Sequence, residues 1–294
     1  MKRVRKTGSG CLNQEARLQT KAFTFIELLV VVASIAILAA TLLPALASVN
    51  QKKALGIACL NNLKQLTLAA HSYAGDFQGA IPVNDTAQNA WVTGDVSGRT
   101  SLNGITNIAN LQASVLWPYN QSLGIYRCPG DQDVVAGVSA PRVRDYSLNC
   151  MMGNNSGPDG DPGSSCHPST PEHQTFASVL NPSPSAASFF FDEQSSTTLA
   201  TTSIDDGYFA IDDGSAGSYF MYGSRQWRNV PSSRHGNFGQ LSYADGHAGK
   251  MTWLEPDTHS LQGINAASAE FNNTDKQLLW LSTYASGSVP GVPW

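Results

Sequence analysis

Nothing constrains this chain more than the stretch from Lys21 to Asn50, KAFTFIELLVVVASIAILAATLLPALASVN. Between Phe23 and Val49 it is almost wholly apolar, and Glu27 is its only charge. At about 1.5 Å per residue a helix over these residues is roughly 40 Å long, enough to cross a bilayer core of about 30 Å. An acid inside such a segment is costly, by about 2.5–3.5 kcal/mol at the centre of a span. A carboxylate kept there is therefore expected to have a task and a partner. The sequence predicts a membrane-inserted helix with a placed glutamate.

AFTFIELLVV resembles the processing site of type IV prepilins and type II secretion pseudopilins, in which a small residue precedes F-T-L-I-E-L. The resemblance implies that a prepilin peptidase cuts between Ala22 and Phe23 and that the new Phe23 amine is methylated. It makes Glu27 the fifth mature residue, pairing with the terminal amine of a neighbouring subunit. Pro44 becomes the twenty-second, where related pilins carry a helix-kinking proline. Two positions depart from the pattern: Ala22 replaces the commoner glycine and Phe25 the usual leucine. The competing reading is an uncleaved signal anchor, which accounts for the apolar run but leaves Glu27 without a reason.

Charge fixes the topology. Lys2, Arg3, Arg5, Lys6, Arg17 and Lys21 stand against Glu15 in residues 1–22, a local +5 in a chain of net charge −4. Positive residues stay cytoplasmic, so this leader is inside and the chain after Val49 is outside. The expected location is the inner membrane, single-pass, with a periplasmic C-terminal domain and a filament after processing. The acidic balance gives no electrostatic case for nucleic acid. Of five cysteines Cys11 leaves with the leader, and Cys59, Cys128, Cys150 and Cys166 face an oxidising compartment, where an even number suggests disulfides. Of three connectivities, Cys59–Cys128 with Cys150–Cys166 is favoured. The first bond would tie the helix to the domain, and the second would close a loop rich in Gly, Pro, Ser and Asn. Four buried free thiols are the alternative. No CxxC or Cys/His spacing supports zinc, so no metal ligand is assigned.

Past Pro44 the helical pattern continues, with Leu55, Cys59, Leu63, Leu66, Ala70 and Tyr73 at steps of three and four. Lys52, Lys53 and Lys64 mark the wet side, and Gly75 is the expected stop. Pro44 predicts a kink or local melting. Residues 151–185 read as a long surface excursion. Strands are expected at 187–193, 207–211 and 218–223, followed by a hairpin within 235–254 turning at Asp245-Gly246. A short capped helix begins at Thr274, with Leu278 and Trp280–Leu281 docked on the body, and the tail after it is expected to be loose. This divides the chain into a leader (1–22), a membrane or filament-core half-helix (23–49), an amphipathic half-helix (50–75) and a globular domain (76–294).

His235 precedes Asp245-Gly246 by an H-X9-DG spacing. It resembles the C-terminal segment of a large group of long pseudopilin-like bacterial proteins, as do CLNNLKQLTLAAHSYAGDFQGAIP, IYRCPGD, FDEQ, IDDGYFAI and the terminal LLWL. The residues themselves suggest a turn at Asp245-Gly246 with His235 bonding across the hairpin. His235, Asp245 and His247 are metal-capable types, and Asp205, Asp206, Asp212 and Asp213 supply carboxylates; calcium is the candidate ion, since some pseudopilins bind it. There is no EF-hand, P-loop, dinucleotide fingerprint or G-x-S-x-G elbow, and no catalytic residue is assigned. His71, His167, His173 and His259 read as surface or packing residues.

The expectation is thus an α+β, pilin-like fold: a long kinked N-terminal transmembrane helix packed on an antiparallel β-sheet domain with loop-rich insertions. The expected function is a pseudopilin-type subunit of a type II secretion-like filament, with the prepilin peptidase, other pseudopilin subunits, the inner-membrane assembly platform and the membrane as partners. A type IV pilus subunit for adhesion or DNA uptake is the runner-up, and a membrane-anchored binding protein that never polymerises is the third reading.

Overall fold

A computed structural model describes residues 23–84, 89–94, 96, 102–134, 137–153, 172–194, 207–209, 226–227, 229–256, 258–259, 266–267 and 274–283. The leader, the 218–223 strand and the tail lie outside these residues. The chain divides into a unit ending at Val49 and a second beginning at Asn50.

Helix α1, Phe25–Asp76, enters both units. Its backbone stays helical through Pro44, so the expected melting does not occur; one missing donor leaves the flanking hydrogen bonds to carry the helix. Within the first unit Phe25–Leu42 is long and apolar enough to cross a membrane, and none of it is buried. In the second unit Gly56, Cys59, Leu63, Leu66, Thr67, Ala70 and Ala74 form the buried stripe, while Lys52, Lys53 and Lys64 are exposed. Leu55 and Tyr73, expected at its centre, lie at its half-buried edges. Gly75 does not stop the helix. The chain leaves it through Gln78 (φ 55°) and Gly79 (φ 82°), with the Gly79 N–H closing on the Ala74 carbonyl at 2.7 Å.

Short helices α2 (Leu102–Ile105), α3 (Ile108–Gln112) and α4 (Trp117–Asn120) and a 3-10 turn (Leu123–Tyr126) lead to the sheet. Strands β1 (Tyr146–Asn149), β2 (Ser188–Asp192), β3 (Tyr208–Phe209), β5 (Phe238–Tyr243) and β6 (Ala248–Thr252) lie in the order β3-β1-β2-β5-β6. Strands β4 (Gln226–Trp227) and β7 (Ala266–Ala267) pair separately. The main sheet is antiparallel from β1 to β6, but β3 joins β1 in parallel, which corrects the purely antiparallel expectation. The fold is α+β.

Two cores account for the fully buried β1 and β2. Cys59, Leu63, Leu66 and Ala70 of α1 pack with Trp91, Tyr126, Tyr146, Leu148, Phe189 and Phe190 on one side. Phe191, Phe209, Trp227, Leu241, Trp253 and Leu279 fill the other. Strand alternation explains the split: Leu241 enters the second core, while its neighbour Ser242 faces α1 and receives a 2.7 Å hydrogen bond from Thr67 Oγ1. Helix α5, Thr274–Thr283, docks through Leu279, whereas Leu278, expected to dock, is 37% exposed; the side chains of Trp280 and Leu281 lie outside the described residues. Asp275 in its first turn accepts from the Leu254 and Glu255 backbone N–H groups and from the Thr258 hydroxyl.

Leu63→Ala should cost about 2–5 kcal/mol of stability, because the cavity opens between α1 and the sheet. Leu68→Ala, on the exposed side of the same helix, should stay within about 0.5 kcal/mol. Urea unfolding followed by tryptophan fluorescence measures both.

Candidate functional site

Between α1 and the end of β2 lies a cluster of reactive side chains that no sequence spacing announces. Cys59 enters from α1. Cys128 comes from the loop after the 3-10 turn, Asp192 ends β2, and His235 precedes β5. All four are buried, and their ligating atoms lie within 4.8 Å of one another.

Local sequence explains each placement. Cys128-Pro129-Gly130-Asp131 closes a tight turn, with the Asp131 N–H on the Cys128 carbonyl at 3.0 Å and proline at its favoured second position. Gly130 is required there because a Cβ would come within 2.5 Å of the His235 ring. The Cys128 N–H donates to Asp145 Oδ2 at 2.8 Å, which fixes the turn against the start of β1. Residues 230–232 pair with the end of β2: the Gln194 N–H reaches the Val230 carbonyl and the Ser232 N–H reaches the Asp192 carbonyl at 2.7 Å. That pairing delivers Arg234 and His235 to Asp192. Arg234 Nη1 meets Asp192 Oδ1 at 2.5 Å, and its Nη2 donates to the Glu193 carbonyl at 3.0 Å.

Within the cluster, Cys128 Sγ is 2.9 Å from His235 Nε2, and Asp192 Oδ2 is 3.8 Å from the same nitrogen. Cys59 Sγ donates to Asp192 Oδ2 at 3.5 Å and accepts from the Tyr146 hydroxyl at 3.2 Å. Burial pushes the Cys59 thiol well up, and Cys128 and Asp192 beside it act in the same direction. Burial also raises Cys128, but hydrogen bonds from Cys59 and His235 and the Arg234 charge outweigh it and bring its pKa down to about 4. The pair thus divides into a Cys128 thiolate and a Cys59 thiol. Burial raises the carboxyls of Asp192 and Asp145 well above the ordinary range, with Arg234 opposing. Burial disfavours the Arg234 cation, yet Asp192, Asp131 and Asp145 hold it firmly protonated.

Cysteine, histidine and aspartate together suggest a nucleophile relay, but the geometry differs from one. A relay needs the acid on the imidazole nitrogen opposite the nucleophile, so that it orients the base. Here Asp192 and Cys128 both face Nε2. The four groups converge on a point instead of forming a chain.

The expected site residues are distributed differently from the sequence reading. Cys59 and Cys128 are close but both are free thiols, which corrects the Cys59–Cys128 disulfide; their sulfurs are occupied by Asp192, His235 and Tyr146. Cys150 is disulfide-bonded, and Cys166 lies outside the described residues, as do Ala22, His167, Asp205, Asp206, Asp212 and Asp213. Asp245 and Gly246 form the tip of the β5–β6 hairpin, Gly246 at φ 96° and Asp245 Oδ1 at 2.6 Å from His247 Nδ1. His235 does not bond across that hairpin: its ring turns inward to Cys128. The two halves of H-X9-DG therefore serve different places. Burial lowers His71, which stacks on Phe176 at 4.1 Å, a packing role.

At the other end of the chain, Phe23 is 73% exposed. Thr24 and Glu27 form a reciprocal capping box. The Thr24 N–H and hydroxyl both donate to Glu27 Oε2 at 2.8 Å, and the Glu27 N–H returns to Thr24 Oγ1 at 3.2 Å. Sequence reading overlooked this, although T-x-x-E before an apolar run is its signal. Glu27 therefore has a local partner within its own chain.

Arg234→Met should destabilise the second unit by about 3–5 kcal/mol, since it strands the buried Asp192 carboxylate. Asp245→Ala, at the half-exposed hairpin tip, should cost about 1 kcal/mol or less. Chemical denaturation of the two variants compares the inner and outer ends of the motif.

Comparison with family models, with curated proteins and with solved structures finds no match for this chain.

Proposed function

We propose that the protein is a pilin-like envelope subunit that is held in the inner membrane by α1 and assembles through that helix after processing at Ala22–Phe23. The observation that carries this reading is the state of Phe25–Leu42: a continuous helix with every side chain exposed, including Ile35 at 60% and Leu42 at 67%. Such a surface needs lipid or other helices around it. The exposed Phe23 amide end and the carboxylate of Glu27 one turn away supply the two charges that a head-to-neighbour contact requires once the leader is removed. A type II secretion-like filament is the favoured assembly, with the prepilin peptidase and the assembly platform as partners.

The capping box favours a second reading, a membrane-anchored protein that does not polymerise. Thr24 already satisfies Glu27 within the single chain, so the acid needs no neighbour to account for its presence.

Two measurements separate these. Intact-mass analysis from cells with an active prepilin peptidase should show a chain beginning at methylated Phe23; retention of Met1–Ala22 removes the processing step. Thr24→Ala and Glu27→Ala each break the capping box, at about 1 kcal/mol, but only Glu27→Ala removes the intersubunit partner. Filaments that survive Thr24→Ala and fail with Glu27→Ala support assembly. Filaments retained equally by both variants remove the Glu27 pairing, and absence of filaments from the unaltered, processed chain supports the anchor.

A further inference from the structure

We propose that Cys59, Cys128, Asp192 and His235 form a closed structural site for a divalent d-block cation of the zinc type. The inference rests on the second unit alone and is independent of the filament reading.

Donor chemistry comes first. Two cysteine sulfurs, an imidazole and a carboxylate are a zinc-type set, and hard cations such as calcium, which take oxygen ligands, do not suit it. Bond lengths of about 2.0–2.3 Å in a tetrahedron put neighbouring donors about 3.3–3.8 Å apart. The contacts here are 2.9 Å for Cys128 Sγ to His235 Nε2, 3.5 Å for Cys59 Sγ to Asp192 Oδ2 and 3.8 Å for His235 Nε2 to Asp192 Oδ2. Two of these contacts stand at ligand spacing, the Cys128–His235 contact is shorter and would open around an ion, and all four donors lie within 4.8 Å. Convergence of Cys128 and Asp192 on a single imidazole nitrogen is what a common ion requires.

Supporting contacts are in place around these donors. Tyr146 donates to Cys59 Sγ at 3.2 Å, and Arg234 holds Asp192 by Oδ1, leaving Oδ2 directed at the cluster. Gly130 presses on the His235 ring and limits where it can turn. Outer contacts of this kind orient metal ligands. Charge is also compensated: binding releases the Cys59 proton, and the divalent ion offsets the two sulfurs while Arg234 stays on Asp192. With four protein donors, all buried, no position is left for substrate. The ion would bolt α1 to the turn after Tyr126, to β2 and to the approach to β5, replacing the expected disulfide as the link between helix and domain.

The test uses the full chain in detergent, prepared without chelator or histidine tag, loaded with zinc sulfate and passed through gel filtration. Elemental analysis should give about one zinc per chain. Exchange with cobalt(II) should produce the thiolate-to-cobalt charge-transfer band and the intense visible bands of a tetrahedral ion. Tyr146→Phe, which keeps all four donors, should weaken zinc binding about tenfold, and Cys128→Ser should lower it further, while Asp245→Asn leaves it unchanged. Should Cys128→Ser fail to fold, the cobalt spectrum of the unaltered chain still decides. A Cys59–Cys128 disulfide in protein from the envelope, a cobalt complex without the thiolate band, or zinc uptake unaffected by Cys128→Ser overturns the site.

Discussion

One guanidinium holds the second unit's most strained electrostatics together. Arg234 sits between Asp192 at 2.5 Å and Asp131 at 3.9 Å, with its side chain 9% exposed. Isolated burial of any of these charges would cost several kcal/mol, and their mutual attraction offsets it only because the remaining donors are also used. Arg234 Nη2 takes the Glu193 carbonyl. The contact fixes the segment before β5 against the end of β2, and His235, next in sequence, has no freedom to sit anywhere but over Gly130 and beside Cys128. The thiolate character of Cys128 follows from the same arrangement, since Arg234 and His235 both favour its charged form.

The first unit obeys different physics. Phe25–Leu42 is apolar and exposed throughout, and among the described residues its own backbone and its cap are what order it. Thr24 and Glu27 supply that cap by using one carboxylate oxygen twice. A carboxylate so engaged is cheaper to keep near a membrane surface than a bare one, because two of its acceptor sites are already filled. Any amine arriving from outside competes with Thr24 for Glu27 or uses the other oxygen. The energetic argument for an intersubunit pair is accordingly weaker than the charge alone suggested, and it rests on a difference between two partners.

Periodic features were legible in the sequence; convergent ones were not. The wet lysines of α1, the hairpin around Asp245-Gly246 and the helix at Thr274 follow from local spacing, which depends only on near neighbours. Where local signals competed, they misled. The helix ends at Asp76, one residue past Gly75, and Leu279 joins the second core in place of the expected Leu278. Cys59 and Cys128 look like a disulfide when even number and compartment are the only guides. Tyr146, Asp192 and His235, which occupy those sulfurs, lie 87, 133 and 107 residues from the cysteines they contact, and no motif spacing survives such separations.

What the sequence does retain of the cluster is a set of short words. CLNNLKQL, IYRCPGD, FDEQ and the start of RHGNFGQLSYADG each bring one donor to it, namely Cys59, Cys128, Asp192 and His235. Two of the words also carry a residue that seats another word's donor: Gly130, beside Cys128, against the His235 imidazole, and Arg234, beside His235, against Asp192. The centre constrains where each word ends up, not the length of chain between them. Asp245-Gly246 belongs to the hairpin and not to the centre: nine residues, most of them in the single strand β5, separate the turn from His235, and that strand is what fixes the spacing.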